Sequence, residues 1–157
     1  MIRPATLNDR DAMTNVFAAL NLFNNDELNF MSNLVDDYFD GTLGEGHYWI
    51  VSDDNVITSA AYYAPESFGQ DVYNLYFIGV LPNHQGKGTG SSILKYVENH
   101  LKELGQRLLL IETSGLPNFE KTRQFYLKNN YEKEATIREY YKEGDDKIVF
   151  RKKLTIS

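Results

Sequence analysis

Two strand-like segments separated by one helical segment constrain the fold of this chain more than any other feature. Residues 71–80 (DVYNLYFIGV) and 107–113 (RLLLIET) are apolar over most of their lengths, as expected for strands inside a sheet. The residues between them place apolar side chains at helical spacing: Ile93, Leu94, Val97, Leu101 and Leu104. A strand, a helix and a second strand in this order form a βαβ crossover, so the two strands are predicted to be parallel.

The other segments predict a mixed sheet flanked by helices, in one domain that spans residues 1–157. We expect the order β-α-α-β-β-β-α-β-α-β-β. The predicted strands are 1–6, 47–52, 56–63, 71–80, 107–113, 135–141 and 147–154. The first helix is expected to begin at a cap on Asn8 or Asp9, the second lies in 24–41 and stops at Gly41, and the last lies in 118–130. In the helical segment between strands 71–80 and 107–113, Glu98 is expected to lie on the face that points to solvent.

Composition excludes several classes of function. The 157 residues carry a net charge of −6, which disfavours nucleic acid as a partner. Cysteine is absent and the three histidines are widely spaced, so we expect no disulfide, no thiol nucleophile and no metal site. The start of the chain lacks the apolar stretch of a signal peptide and no segment is long enough to span a bilayer, so we expect a cytoplasmic protein.

Residues 84–90 (HQGKGTG) place three glycines between a strand and a helix. Backbone N–H groups at the start of a helix favour an anion, so the loop predicts a phosphate or pyrophosphate site; a turn without a ligand is the alternative. The phosphate loop of nucleotide hydrolases requires G-x-x-x-x-G-K-[ST], but Gly88 follows Lys87 here. The dinucleotide motif requires G-x-G-x-x-G directly after the strand, and neither the spacing nor the position of these glycines satisfies it.

The pattern Gln85-x-x-Gly88-x-Gly90, preceded by IGVLPNH, resembles the signature of the GNAT superfamily of acetyl-CoA-dependent N-acetyltransferases. The segments IRPAT and TRQFYLKNNY also resemble the first strand and the fourth helix of that family, so the resemblance covers nearly the whole chain. Asn130 stands where the family usually has glycine, and asparagine tolerates the left-handed conformation needed there. The resemblance implies a three-layer α-β-α fold with splayed central strands.

The resemblance implies coenzyme A as cofactor, with acetyl-CoA as the co-substrate. The pyrophosphate would lie on the backbone of one continuous loop: Gln85, Gly86, Lys87, Gly88, Thr89, Gly90 and Ser91. The pantetheine arm would run along Ile78, Gly79 and Val80, with a further contact to Asn118. A bulge at Gly79 would direct its N–H to the thioester carbonyl. The alternatives are that Gly79 relieves crowding, that Lys87 only faces solvent and that Asn118 caps the last helix.

The resemblance also implies catalytic residues. Tyr126 matches the tyrosine of the fourth helix, which donates a proton to the departing thiolate. Glu112 is the first candidate for the base, and Asp71 and Glu66 are weaker candidates. Splaying of strand 71–80 from strand 107–113 at Gly79 would open a slot, and Tyr76 is a candidate for its lining. Packing remains the alternative for the two tyrosines, and a structural hydrogen bond or charge pair remains the alternative for Glu112.

The expected reaction is direct attack of a primary amine on acetyl-CoA in a ternary complex. The amine, a small molecule or a peptide or protein amine, is not identified. An acidic surface on the second helix would attract a cationic amine if it is not merely solvated: Asp26, Glu27, Asp36, Asp37 and Asp40. A non-catalytic acetyl-CoA-binding module and a nicotinamide-dependent oxidoreductase are the competing hypotheses. The oligomeric state stays open, with a homodimer through the C-terminal strands as one option.

Overall fold

The computed structural model describes residues 1–154, and the elements within them follow the predicted order. The strands are β1 (Ile2–Pro4), β2 (Tyr48–Asp53), β3 (Ile57–Pro65), β4 (Val72–Val80), β5 (Leu108–Ser114), β6 (Glu132–Lys142) and β7 (Asp145–Lys153). The helices are α1 (Arg10–Ala19), α2 (Asn25–Phe39), α3 (Thr89–Glu103) and α4 (Glu120–Lys128). No helix in the described part of the chain is both long and apolar enough to cross a membrane.

The strands form a mixed sheet in the order β1-β2-β3-β4-β5-β7-β6. Strands β4 and β5 run parallel, in register from Val72 opposite Leu108 to Leu75 opposite Ile111. The parallel pair confirms the βαβ crossover, because only a long connection such as α3 can join two parallel neighbours. The predicted mixed α/β class is therefore confirmed.

The chain divides into two compact units. The first comprises Met1–Ala64 and Phe77–Val97, and the second comprises Pro65–Tyr76 and the chain from Glu98 onward. Strand β4 and helix α3 each begin in one unit and end in the other. The single domain expected from the sequence stays a prediction.

The core of the first unit is aromatic. The Trp49 ring stacks on Tyr62 with centroids 5.0 Å apart, and Phe17 meets Phe77 edge to face at 5.1 Å. Helices α1 and α2 contribute buried side chains to the same cluster, including Met13 and Val35. This cluster covers one face of β2 and β3, so the amphipathic periods of both helices are explained by burial against the strands.

The start of α2 is fixed by a reciprocal cap. Asn24 Oδ1 accepts a hydrogen bond from Glu27 N at 2.8 Å, and Glu27 Oε1 accepts one from Asn24 N at 2.9 Å. Two of the N–H groups that have no partner inside a helix are thereby satisfied. The helix ends just before Gly41, whose φ of 77° confirms the predicted stop.

Helix α1 begins at the predicted cap residue Asp9, but the Asp9 side chain makes no capping hydrogen bond to the helix. Asp9 occupies the cap position, but its carboxylate turns back to Thr6 N at 2.7 Å and to the Arg3 guanidinium at 2.8 Å and 3.0 Å. Arg3 also binds Asp53 at 3.0 Å. The carboxylate therefore ties the first turn to β1 instead of satisfying the amides of α1.

The Asp9 contacts predict a loss of stability in acid. Hydrogen bonds from Arg3 lower the Asp9 pKa from 3.8 to about 2, so the stabilisation is complete above pH 3.8 and lost as pH falls toward 2. Asp9→Asn should lower the free energy of unfolding by about 2 kcal/mol near neutral pH, and by clearly less at about pH 3. Urea unfolding at both pH values measures the difference. The exposed Asp11→Asn variant is the control, and a deficit for Asp9→Asn that does not depend on pH would contradict the assignment.

In the second unit, β5 lies between two partners. It pairs antiparallel with β7 from Leu108 opposite Lys153 to Ser114 opposite Lys147. Strand β6 pairs with β7 as a hairpin, with irregular register between Ile137 and Lys142, and all its residues are exposed. This pairing confirms the β-hairpin predicted from residues 135–141 and 147–154.

A buried charged network replaces the predicted solvent-facing position of Glu98. Glu98 is 8% exposed, and its carboxylate accepts from Tyr131 Oη at 2.7 Å and from Lys152 Nζ at 3.0 Å. Lys152 also donates to Asn129 O at 3.0 Å. The prediction for Glu98 was wrong because these partners come from β7 and from the segment after α4, which helical periodicity does not reveal.

Candidate active site

The glycine loop is anchored to the end of the strand that precedes it, β4, and to the neighbouring strand β3. After β4, one 3-10 turn covers Pro82–His84, and Leu81 N donates to Thr58 O at 2.8 Å. The Gln85 side chain donates from Nε2 to Val80 O at 2.9 Å. The glutamine of the motif therefore folds the loop back on the end of β4, and helix α3 begins four residues later at Thr89.

The backbone of this loop presents a row of N–H groups. Gly86 and Gly88 have φ values of 76° and 83°, a region that favours glycine, and no atom lies within 4 Å of a Cβ built on either. Within residues 1–154, the N–H groups from Gly86 to Ser91 have no hydrogen-bond acceptor. Free amides in an open loop at the start of a 15-residue helix suit a phosphate group, so the residues present fit a pyrophosphate-bearing cofactor. Lys87 is exposed beside them.

Packing explains the glycine near the end of β4. A Cβ on Gly79 would lie 2.6 Å from Phe77 Cζ and 2.7 Å from Leu20 Cδ1, so no larger residue fits without a shift of both side chains. Its neighbours Ile78 and Val80 are partly buried. Relief of crowding, one of the two alternatives for Gly79, therefore accounts for the residue type. The predicted N–H contact to the thioester stays a prediction.

Polar side chains of the second unit meet at Asn74, near the start of β4. Asn74 is fully buried, and its Nδ2 donates to Glu66 Oε1 at 2.7 Å and to Glu112 Oε1 at 2.9 Å. Glu112 Oε2 forms an ion pair with Lys147 Nζ at 2.8 Å. We call Glu66, Asn74, Glu112 and Lys147 the carboxylate cluster. It brings together two of the three predicted base candidates.

Two members of the carboxylate cluster were not predicted as functional residues. Asn74 is a polar residue at a fully buried position in an apolar strand, and such a residue needs a partner, so the sequence carried a signal for it. No sequence signal indicated Lys147, because its pairing with Glu112 depends on the register of β5 with β7. The third base candidate, Asp71, is exposed with φ of 55°, and its carbonyl accepts from Arg107 N at 2.9 Å. Tyr76 Oη lies 3.4 Å from Glu66 Oε1.

Tyr126 lies in α4 and is 3% exposed. Its ring packs against Phe150 at 5.4 Å and Tyr131 at 6.1 Å, and burial raises the pKa of its hydroxyl above the usual value. Within the described residues, the hydroxyl makes no hydrogen bond. The group therefore stays protonated at neutral pH and has a donor that no other side chain uses.

The remaining predicted residues lie at surfaces. Asn118 is exposed in the 3-10 turn Pro117–Phe119, and Phe119 rather than Asn118 takes the cap position of α4, so helix capping does not explain this asparagine. On α2, Asp36 is bound to Arg10 Nε at 2.9 Å. The attraction of a cationic amine to the acidic surface of α2 stays a prediction.

A family model for the acetyltransferase (GNAT) domain matches residues 44–133, more than half of the chain. The chain belongs to the GNAT acetyltransferase family. The match confirms the resemblance inferred from Gln85-x-x-Gly88-x-Gly90, and it includes β4, the glycine loop, α3, β5 and α4.

Solved structures of acetyltransferases share the fold. A Desulfovibrio desulfuricans protein assigned to the GNAT family is 29% identical, with a TM-score of 0.92 and 99% of each chain covered. The ribosomal-protein-S18-alanine N-acetyltransferase of Escherichia coli is 19% identical (TM-score 0.78), covering 100% of this chain and 95% of that one. An aminoglycoside 6'-N-acetyltransferase solved with coenzyme A is 11% identical (TM-score 0.77), and the alignment covers 100% of this chain and 98% of that one. No curated protein sequence matches this GNAT chain.

Proposed function

We propose that this protein is an N-acetyltransferase that transfers the acetyl group of acetyl-CoA to a primary amine by direct attack. Acetyl-CoA supplies an acetyl group activated as a thioester. The observation that carries the proposal is the row of free N–H groups from Gly86 to Ser91 in a loop with the GNAT motif. Two solved relatives of the fold were obtained with coenzyme A or acetyl-CoA, which supports the choice of cofactor.

The glycine loop binds the pyrophosphate by backbone amides, with Lys87 as an additional positive charge. The backbone of Ile78, Gly79 and Val80 binds the pantetheine arm, and Asn118 contributes a side-chain contact. The Gly79 N–H stabilises negative charge on the thioester oxygen. Each of these groups acts through the main chain or through an exposed side chain, so binding does not require the core to rearrange.

Two side chains of the second unit, Glu112 and Tyr126, accept and donate the protons of the reaction. The amine must lose a proton to attack the thioester carbon, and Glu112 accepts it directly or through water. The new C–N bond forms as the C–S bond breaks, and Tyr126 donates a proton to the departing sulfur. Burial raises the pKa of the Tyr126 hydroxyl, so this group is protonated at neutral pH and carries the proton that it donates.

Thiol release from acetyl-CoA in the presence of a panel of primary amines tests the function. The expected result is amine-dependent release of coenzyme A for at least one amine. Binding of CoA without release of thiol with any amine would instead support a non-catalytic module. If CoA raises the thermal unfolding temperature of the protein and NAD does not, the oxidoreductase hypothesis is excluded. The cytoplasmic location and the homodimer stay predictions.

A further inference from the structure

The two carboxylates of the carboxylate cluster differ in what binds their second oxygen. Glu112 Oε2 is paired with Lys147 at 2.8 Å. Glu66 Oε1 accepts from Asn74 at 2.7 Å and lies 3.4 Å from Tyr76 Oη, whereas Glu66 Oε2 has no partner among residues 1–154. Lys147 is also fixed 4.1 Å above the Tyr140 ring, so it is held at Glu112. The half-buried Glu66 is therefore the carboxylate of the cluster that has no cationic partner among the described residues.

Asn74 fixes the separation of the two carboxylates. One nitrogen donates to both, and the other amide atom, Oδ1, is buried with no hydrogen-bond partner in the described residues. Because Oδ1 has no partner, the orientation of the carboxamide is set by the two carboxylates alone. A flipped carboxamide would place an oxygen against both charges, so the arrangement requires Glu66 and Glu112 to be present together as acceptors. Asn74 Nδ2 therefore holds the Glu66 carboxylate beside that of Glu112.

We propose that Glu66 is a specificity-determining residue that binds a second positive charge on the acceptor, so that the preferred acceptors are diamines or polyamines. This inference rests on the proposed acetyl transfer. The nitrogen that is acetylated must be neutral when it attacks, so it gives no lasting partner to a carboxylate. A charge that the acceptor retains through the reaction can pair with the free oxygen of Glu66 throughout. Asn74 acts as a positioning residue that holds Glu66 beside Glu112.

The test compares three amines of equal chain length: diaminobutane, aminobutanol and aminobutyric acid, whose far ends are cationic, neutral and anionic. In the wild-type protein, we expect kcat/KM for diaminobutane to exceed that for aminobutanol by about tenfold, with aminobutyric acid the poorest. Glu66→Gln should remove most of this preference by raising KM for diaminobutane while changing kcat by less than about twofold. Glu134→Gln, an exposed glutamate on β6, is the matched control.

Calorimetric binding of diaminobutane separates this inference from the reaction. Wild-type protein and Glu134→Gln should bind diaminobutane equally, and Glu66→Gln should bind it about tenfold more weakly. Binding that depends on Glu66, without thiol release from acetyl-CoA with any of the three amines, would count against the proposed reaction and support the cation site. Thiol release with no preference for the diamine, or a preference that survives in Glu66→Gln, would overturn the cation site and leave the reaction standing.

Discussion

Replacing Tyr126 with phenylalanine is expected to lower kcat by about a hundredfold while changing the Kd for CoA by less than about twofold. The substitution removes only the hydroxyl, which makes no hydrogen bond within residues 1–154. The ring keeps its contacts with Phe150 and Tyr131. The free energy of unfolding should therefore stay within about 0.5 kcal/mol of wild type. Steady-state kinetics, calorimetry with CoA and urea unfolding measure the three quantities.

Tyr131 provides the matched control for Tyr126. It is a neighbouring buried tyrosine, but its hydroxyl donates to Glu98 Oε2 at 2.7 Å. Tyr131→Phe removes a hydrogen bond to a buried carboxylate, so it should lower the free energy of unfolding by about 2 kcal/mol and leave kcat nearly unchanged. The two variants thus separate chemistry from stability. If Tyr126→Phe retained kcat within about twofold, Tyr126 would be a packing residue and the proton donor would have to be sought elsewhere.

Replacing Gly88 with valine is expected to weaken CoA binding by at least about thirtyfold, the loss of one or two hydrogen bonds to a charged phosphate. The valine side chain would occupy the open space in front of the loop, where no protein atom lies within 4 Å of the added Cβ. The left-handed backbone at this position also strains a β-branched residue. Titration calorimetry with CoA gives the change in Kd.

Gly105 provides a control that distinguishes obstruction of the CoA site from strain in the backbone. It has φ of 73°, no atom within 4 Å of an added Cβ, and a position after the end of α3. Gly105→Val should therefore reduce the free energy of unfolding by about the same amount as Gly88→Val, roughly 1–2 kcal/mol, but leave the Kd for CoA unchanged. Equal CoA affinity of both valine variants would contradict the assignment of the loop as the pyrophosphate site.

The order of elements could be predicted because apolar periodicity is a local property. The change from helical spacing to nearly continuous apolar runs located β4, α3 and β5, and the crossover rule then fixed the parallel pairing. The glycine loop was also found locally, since the motif and the following helix are contiguous. Backbone angles at Gly86 and Gly88 agree with a loop that needs small residues at these positions.

The predictions that failed depended on contacts between distant segments. The Glu98 carboxylate is buried because Lys152 and Tyr131 reach it, and the Asp9 carboxylate faces Arg3 instead of α1. In both cases, an ion pair overrides the position that local rules assign to an acidic residue. The carboxylate cluster was only half predicted for the same reason. Glu66 and Glu112 were named separately. A polar residue in an apolar strand signalled that Asn74 needs a partner, but nothing local identified the two carboxylates as its partners or Lys147 as the cation beside Glu112.

The most direct test of the central claim is a stoichiometric measurement of acetyl transfer. Purified protein, acetyl-CoA and a primary amine are incubated, and free CoA thiol and acetylated amine are quantified in the same samples by thiol titration and mass spectrometry. The account predicts that the two products appear in equal amounts, only when the amine is present, and much more slowly with Tyr126→Phe. Thiol release without acetylated amine, or tight CoA binding with neither product for any amine of a broad panel, would contradict it.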